Sequence, residues 1–173
     1  MNKKRILTAV LQLGGIALLV YVDYLLKELA VEHLTGAGTK VLIPHVVGLH
    51  LTQNTGAAFS LFSSSTSALS VVTGVVLVGV FILLTVVKKK PLIYDVLVPL
   101  IIAGGAGNLV DRIRQGYVVD YIRTLFMDFP IFNFADILIT CSCVTLIIYL
   151  IWEMVHDHNQ KKQTVPSKEE PAS

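Results

Sequence analysis

Polar and apolar positions along the chain separate into long blocks. Residues 6–22 carry no charge, and the run stays apolar past Asp23 to residue 30. Residues 67–87 form a second block, closed by Lys88-Lys89-Lys90-Pro91, and residues 92–103 begin a third that turns glycine-rich at Gly104-Gly105-Ala106-Gly107. The fourth, residues 137–152, follows Asp136 directly and holds no charge. A helix needs about 20 predominantly apolar residues to cross a bilayer, so the blocks predict spans at about 6–30, 67–87, 92–110 and 134–155. Between the first two, residues 39–51 (TKVLIPHVVGLHL) are rich in Val, Ile and Leu but broken by Pro44 and Gly48. That pattern suits short strands and predicts a small outer sheet over about 39–58. Residues 156–173 are polar, contain Pro166 and Pro171, and read as a disordered tail. The expected fold is an all-α polytopic membrane protein: four transmembrane helices within residues 1–155 and a small extracytoplasmic β-sheet.

Composition strengthens the membrane reading. The chain is 54% hydrophobic and 15% charged, with a mean hydropathy of +0.70, whereas soluble domains carry about 25% charged residues. A net charge of +2 with no basic stripe argues against a nucleic-acid partner. Lys3, Lys4 and Arg5 ahead of an apolar run resemble the start of a signal peptide. No A-x-A cleavage site follows, so an uncleaved first span is expected. With four spans, the basic clusters at Lys3-Lys4-Arg5, Lys88-Lys89-Lys90 and Lys161-Lys162 share one side, which predicts that both termini are cytoplasmic. Arg112, Arg114 and Arg123 fall on the other side, against that rule, and point to a structural or substrate role. Cys141 and Cys143 face different sides of one helix and read as packing residues, not a disulfide.

Depth then singles out the candidate chemistry. At 1.5 Å per residue, Asp23 lies roughly 25 Å from Ile6, near the far face of the bilayer, and Lys27 follows one turn later on the same helix face. Asn54 precedes the second span; Asn108, Asp111 and Arg112 end the third. Asp120 lies in the loop after it, and Asn133 and Asp136 open the fourth. All reach one layer at the outer membrane–water boundary. An acid at the mouth of a membrane helix is costly and reads as functional, with Asp120 as its proposed partner; a cap for its own helix is the plainer role for Asp136. Two carboxylates close together in a poorly hydrated place share a proton. The charged member can deprotonate a water while the neutral one hydrogen-bonds a carbonyl oxygen, which is the apparatus of amide hydrolysis without a covalent intermediate.

Competing readings carry less. The glycines follow no strand and lack the G-x-G-x-x-G spacing of a nucleotide loop. His45 and His50, five apart in the outer loop, could ligate zinc with an aspartate, but no second ligand pair at zinc spacing accompanies them. His156 and His158 lie in the tail, far from the acids. A transporter or proton relay should carry polar residues along its full depth, and these spans are almost bare in their inner halves. A non-catalytic lipid-binding protein offers no reason for two asparagines and an arginine at the level of the acids.

Four blocks, Asn54-Thr55-Gly56-Ala57-Ala58-Phe59, Gly104-Gly105-Ala106-Gly107-Asn108-Leu109-Val110-Asp111-Arg112, Val118-Val119-Asp120-Tyr121 and Phe132-Asn133-Phe134-Ala135-Asp136, together resemble bacterial lipoprotein signal peptidase, also called signal peptidase II. The resemblance covers roughly residues 6–155. It implies an aspartic endopeptidase of the bacterial cytoplasmic membrane that removes the signal peptide of prolipoproteins just before a diacylglyceryl-modified cysteine. On this chain it implies Asp120 and Asp136 as the catalytic dyad, near the extracytoplasmic face. Asn54, Asn108, Arg112 and Asn133 would bind substrate or orient the acids, and Asp23, Lys27 and Asp111 would be structural polar residues. The outer sheet would be the family's cradle on the membrane surface, in contact with lipid. Globomycin-type inhibitors would bind between the acids and Asn54; a monomer without metal or other cofactor is expected. One block departs from the family's Asp-Gln-x-Ser/Thr-Lys: this chain reads Asp23-Tyr24-Leu25-Leu26-Lys27. The departure at Tyr24 and Leu26 puts in doubt a polar network around Asp23.

Overall fold

Each apolar block is helical. The computed structural model describes residues 3–56, 66–86 and 91–164. Its helices are α1 (Lys3–Leu34), α2 (Thr66–Val86), α3 (Leu92–Gln115) and α4 (Phe134–Thr164). α1, α3 and α4 are long and apolar enough to cross a membrane, and α2 contributes a shorter apolar stretch, Leu69–Ile82. In hydrocarbon every backbone polar group must be met inside the protein, and a helix does this with its own ladder.

Three helices overrun their expected ends, because the apolar pattern marks only the part in hydrocarbon while the ladder continues into water. α1 reaches Leu34 instead of residue 30, and α3 reaches Gln115 instead of 110. α3 is stopped by Gly116, whose φ of 83° and N–H bond to the Arg112 carbonyl form a left-handed cap. α4 continues to Thr164 through residues 156–164, where a disordered tail was expected. Gln and Lys at 160–163 favour helix, and no Gly or Pro interrupts the stretch before Pro166. The Lys88-Lys89-Lys90 cluster, the Ala57-Ala58-Phe59 end of the expected sheet and motif, and residues 165–173 of the tail lie outside the described residues.

Contacts fix the helix directions. Gln12 of α1 meets Asp95 of α3, and Lys27 meets Asn108, so α1 and α3 run parallel. Tyr94 packs edge-on against Tyr149 and Asn108 meets Asp136, so α4 is antiparallel to α3. Leu77 of α2 lies over Gly105, and Gly74 lies beside Leu109, which sets α2 antiparallel too. α3 is the centre: half of its apolar window is buried, against 6% for α1 and 11% for α4. Pro99 inside α3 has no N–H for the carbonyl of Asp95, four residues earlier. The Gln12 side-chain amide donates to that carbonyl at 2.9 Å and satisfies it.

The sheet is three-stranded and antiparallel, in the order β1 (Lys40–Ile43), β2 (Val47–Asn54), β3 (Val118–Thr124). Pro44 and His45 make the β1–β2 turn, closed by Val46 N–H to the Ile43 carbonyl at 3.1 Å; His45 takes φ 60°. The first two strands fall inside the expected sheet. β3 was expected as a loop, and Asp120 lies on it. Its Val-Val-Asp-Tyr-Ile-Arg-Thr sequence is rich in β-branched and aromatic residues. The inner face of the sheet packs on the last turns of α1, where Leu49, Leu51, Tyr121 and Ile122 meet Leu26, Ala30 and Leu34.

Close packing of α3 depends on its glycines, since helices in lipid associate through backbone proximity and not through hydrophobic burial. A Cβ on Gly104 would overlap the Ala135 carbonyl oxygen and lie 2.8 Å from Ile139 Cγ1. The backbone oxygen cannot retreat without moving α4. Gly104→Ala should therefore destabilise the detergent-solubilised protein by roughly 1–3 kcal/mol, read as a lower melting temperature. Gly14→Ala, with open space around it, should be neutral or stabilising by up to about 1 kcal/mol.

Candidate active site

The first turn of α4 leaves backbone amides with no helical partner, and side chains from elsewhere take them up. Asn133 is the N-cap: its Oδ1 accepts the Asp136 N–H at 3.0 Å, while Asp136 Oδ2 accepts the Asn133 N–H at 3.0 Å. This is a reciprocal capping box, so the capping role considered for Asp136 is present. It occupies one carboxylate oxygen only. Ala135 N–H donates to Asp23 Oδ1 of α1 at 3.0 Å, and the Tyr121 hydroxyl of β3 bonds the Phe134 backbone.

Sheet register brings in the second acid. Thr52 pairs with Asp120, which sets Asn54, two residues on and on the same face, diagonally across from it. Asn54 Nδ2 donates to Asp120 Oδ2 at 2.8 Å, and Asn133 Nδ2 donates to Asp120 Oδ1 at 2.7 Å. Asn133 thus touches both acids, one through its side-chain amide and the other through its cap. Asn108 Nδ2 donates to the free oxygen of Asp136, Oδ1, at 2.8 Å. Each carboxylate oxygen keeps a further lone pair for water.

Behind the acids lies a buried ionic cluster. Lys27 Nζ is 2.8 Å from Asp23 Oδ2, 2.9 Å from Asp111 Oδ2 and 3.0 Å from Asn108 Oδ1. Asp111 also accepts the Val119 N–H at 3.2 Å, tying α3 to β3. Arg112 donates to the Gly56 carbonyl at 3.1 Å, and its buried Nε has no hydrogen-bond partner among the described residues.

Asp120 is 2% exposed. Burial raises its carboxyl to about 6; bonds from Asn54 and Asn133 oppose that rise, and the charge of Asp136 adds to it. Burial likewise pushes the Tyr121 phenol up to about 12, so its hydroxyl stays neutral. Both acids line a cavity of about 900 Å³. Its apolar wall includes Phe129, Pro130 and Ile131 from the loop before α4, and it continues along α4 past Ile137 to Thr140 and Cys141.

Every candidate residue converges here. Asp120, Asp136, Asn54, Asn108, Arg112 and Asn133 surround or bond the acids, and Asp23, Lys27 and Asp111 sit directly behind. The network around Asp23 is complete despite Tyr24 and Leu26: Tyr24 lies under the Arg114 guanidinium, 5.1 Å from the ring centroid, and Leu26 packs in the cluster below the sheet. His50 bonds Thr39 on the hairpin, and Cys141 and Cys143 are free thiols. Sequence reasoning missed Tyr121, Val119 and the loop wall. Tyr121 had a signal, as the one hydroxyl beside Asp120 in a β-rich stretch.

The chain matches the family model described as signal peptidase (SPase) II over residues 15–152. It is 42% identical to the lipoprotein signal peptidase of Enterococcus faecalis over 135 residues, 78% of this chain and 84% of that protein. With the lipoprotein signal peptidase of Streptococcus pneumoniae the identity is 36% over 154 residues, covering 89% and 98%. A solved bacterial membrane enzyme superposes with a TM-score of 0.73 at 26% identity, over 94% of both chains.

The electrostatics yield a direct test. Removing the charge beside Asp120 should lower its pKa, because a like charge disfavours ionisation. Infrared titration of the carboxylic acid C=O band should show a group near pH 6 in the parent protein and the same group at lower pH in Asp136→Asn. An unmoved band would mean that the two acids do not interact.

Proposed function

This chain belongs to the lipoprotein signal peptidase (signal peptidase II) family, multi-pass aspartic peptidases of bacterial membranes that cleave signal peptides from prolipoproteins, and from that premise we propose that Asp120 and Asp136 are its catalytic pair. The observation that supports this most is the placement of Asn133, bonded to both acids in the wall of one cavity.

The pair shares one proton, with Asp120 as its holder. A water between the two carboxyls gives a proton to Asp136 as its oxygen attacks the scissile carbonyl carbon, while Asp120 gives its proton to the carbonyl oxygen. The tetrahedral diol collapses when Asp136 returns a proton to the leaving nitrogen and Asp120 recovers one from the oxygen. Asn54 and Asn133 orient Asp120, Asn108 orients Asp136, and Arg112, in the cavity wall, suits a substrate backbone carbonyl. Asp23, Lys27 and Asp111 hold the helices at this level.

The signal peptide lies along α4 past Ile137, Thr140 and Cys141, and is cut just before a diacylglyceryl-modified cysteine whose acyl chains face lipid. Globomycin-type inhibitors would occupy the same groove between the acids and Asn54. The peptidase unit falls within residues 1–155 and acts as a monomer. Lys3 opens α1 at the end opposite the acids, which supports cytoplasmic termini and a pair near the extracytoplasmic face of the cytoplasmic membrane.

Asp120→Asn and Asp136→Asn should each fold, with a clear melting transition in detergent, and should lose cleavage of a lipid-modified prolipoprotein by about 10³-fold or more. Parent-level cleavage by either variant would remove the catalytic assignment. For topology, Val41→Cys on the exposed hairpin should react with a membrane-impermeant maleimide on intact cells, and Lys161→Cys only after permeabilisation. The opposite pattern would invert the orientation.

A further inference from the structure

Lys27 is 2% exposed in α1, and its ammonium has three N–H groups and no acceptor. Two point at carboxylates, Asp23 and Asp111, which accounts for its charge. The third goes to the neutral Asn108 Oδ1 at 3.0 Å. A carboxamide can be turned over, exchanging its oxygen for its NH2, and its neighbours decide the sense. Asn133 Nδ2 also donates to Asn108 Oδ1, but its two N–H groups are shared among that oxygen, the Val119 carbonyl and the nearer Asp120 Oδ1. Two kinds of member in this network cannot be inverted: the backbone N–H of Asp136, which fixes Asn133, and the ammonium of Lys27.

We propose that Lys27 is a positioning residue for the hydrolytic pair: facing the oxygen of Asn108, it turns an N–H and not a lone pair toward Asp136. This rests on the reading of Asp120 and Asp136 as catalytic. With the amide reversed, the Asn108 oxygen would face Asp136 Oδ1, and that contact would require a proton between them. The shared proton would be drawn from Asp120 to Asp136, exchanging acid and base. Lys27, together with Asn133, therefore fixes which member of the pair attacks through water. The charged groups around it are Asp23 on its own helix, Asp111 and Arg112 on α3, Asp120 on β3 and Asp136 on α4. Among these, the Lys27 charge also holds the Asp120 carboxyl lower than burial alone would leave it.

The test uses Lys27→Met/Asp111→Asn, which keeps the net charge of the cluster. The asparagine oxygen can still accept the Val119 N–H, and its NH2 can face Asp23. In detergent, with a lipid-modified prolipoprotein as substrate, kcat should fall about 10²-fold with KM changed by less than about threefold, and the pH profile should move to higher pH. In an Asn108→Ala background the same change should cost less than about threefold further, since its effect runs through that amide. A melting temperature that drops while kcat per folded molecule and pH profile stay at parent values would overturn the proposal. So would a full additional loss in the Asn108→Ala background. If the double variant shows no melting transition, Lys27→Gln is read in its place with the same expectations, since its amide is invertible and uncharged. Asp136→Asn in the same assay separates the two readings: if it cleaves normally the catalytic pair is wrong, and if it is inactive while the Lys27 variants behave as parent, only the present proposal fails.

Discussion

The start of α4 imposes the constraint on which the rest depends. Its first amides point along the axis with no carbonyl to receive them, and at this depth water is not a reliable partner. The Tyr121 hydroxyl, the Asp23 carboxylate and the Asn133 side chain take them up. Those three residues belong to β3, to α1 and to the cap of α4 itself, so satisfying one helix end docks three parts of the chain at one point. Carboxylates suit the place, because the aligned peptide dipoles leave partial positive charge at a helix N-terminus. The site geometry follows from capping: Asp136 is held as the third residue of the helix, and Asp120 arrives one residue before the tyrosine that bonds Phe134.

Below this level the molecule is held by proximity. In lipid an apolar side chain gains nothing by leaving one hydrocarbon environment for another, so close approach and a few internal polar bonds carry the association. Gly104, Gly105 and Gly107 let α4, α2 and the Asp23 carboxylate come against α3. At the other end, Gln12 repairs the carbonyl that Pro99 leaves open. A polar residue at that end thus has a structural reason.

Much of this was readable beforehand. Block lengths located the helices, and the depths of Asp23, Asn108, Asp111, Asn133 and Asp136 put them in one layer, because helix rise converts residue number into height. Lateral contact was not readable. Whether Asp120 meets Asp136 depends on the pairing of Thr52 with Asp120, and strand register is set by partners distant in sequence. β3 escaped notice because it follows a helix cap at Gly116 and carries an acid in mid-strand. Lys27 was legible as a partner for Asp23 through the one-turn spacing, but its bonds to Asp111 and Asn108 cross to another helix. The departures at Tyr24 and Leu26 looked damaging only while the faces of α1 were unknown; Arg114 and the sheet supply their environments.

Four acidic side chains, Asp23, Asp111, Asp120 and Asp136, crowd around two cations, Lys27 and Arg112; all but the half-buried Asp136 and Arg112 are buried. The proposed hydrolysis would generate one more carboxylate, the new C-terminus of the severed signal peptide, in the midst of this surplus. Coulomb repulsion in a weakly screened interior acts on that end group as soon as it ionises. On the proposed reading, the same crowding that would equip the pair to split an amide makes the site a poor host for the acid it creates, so the severed peptide would leave under repulsion.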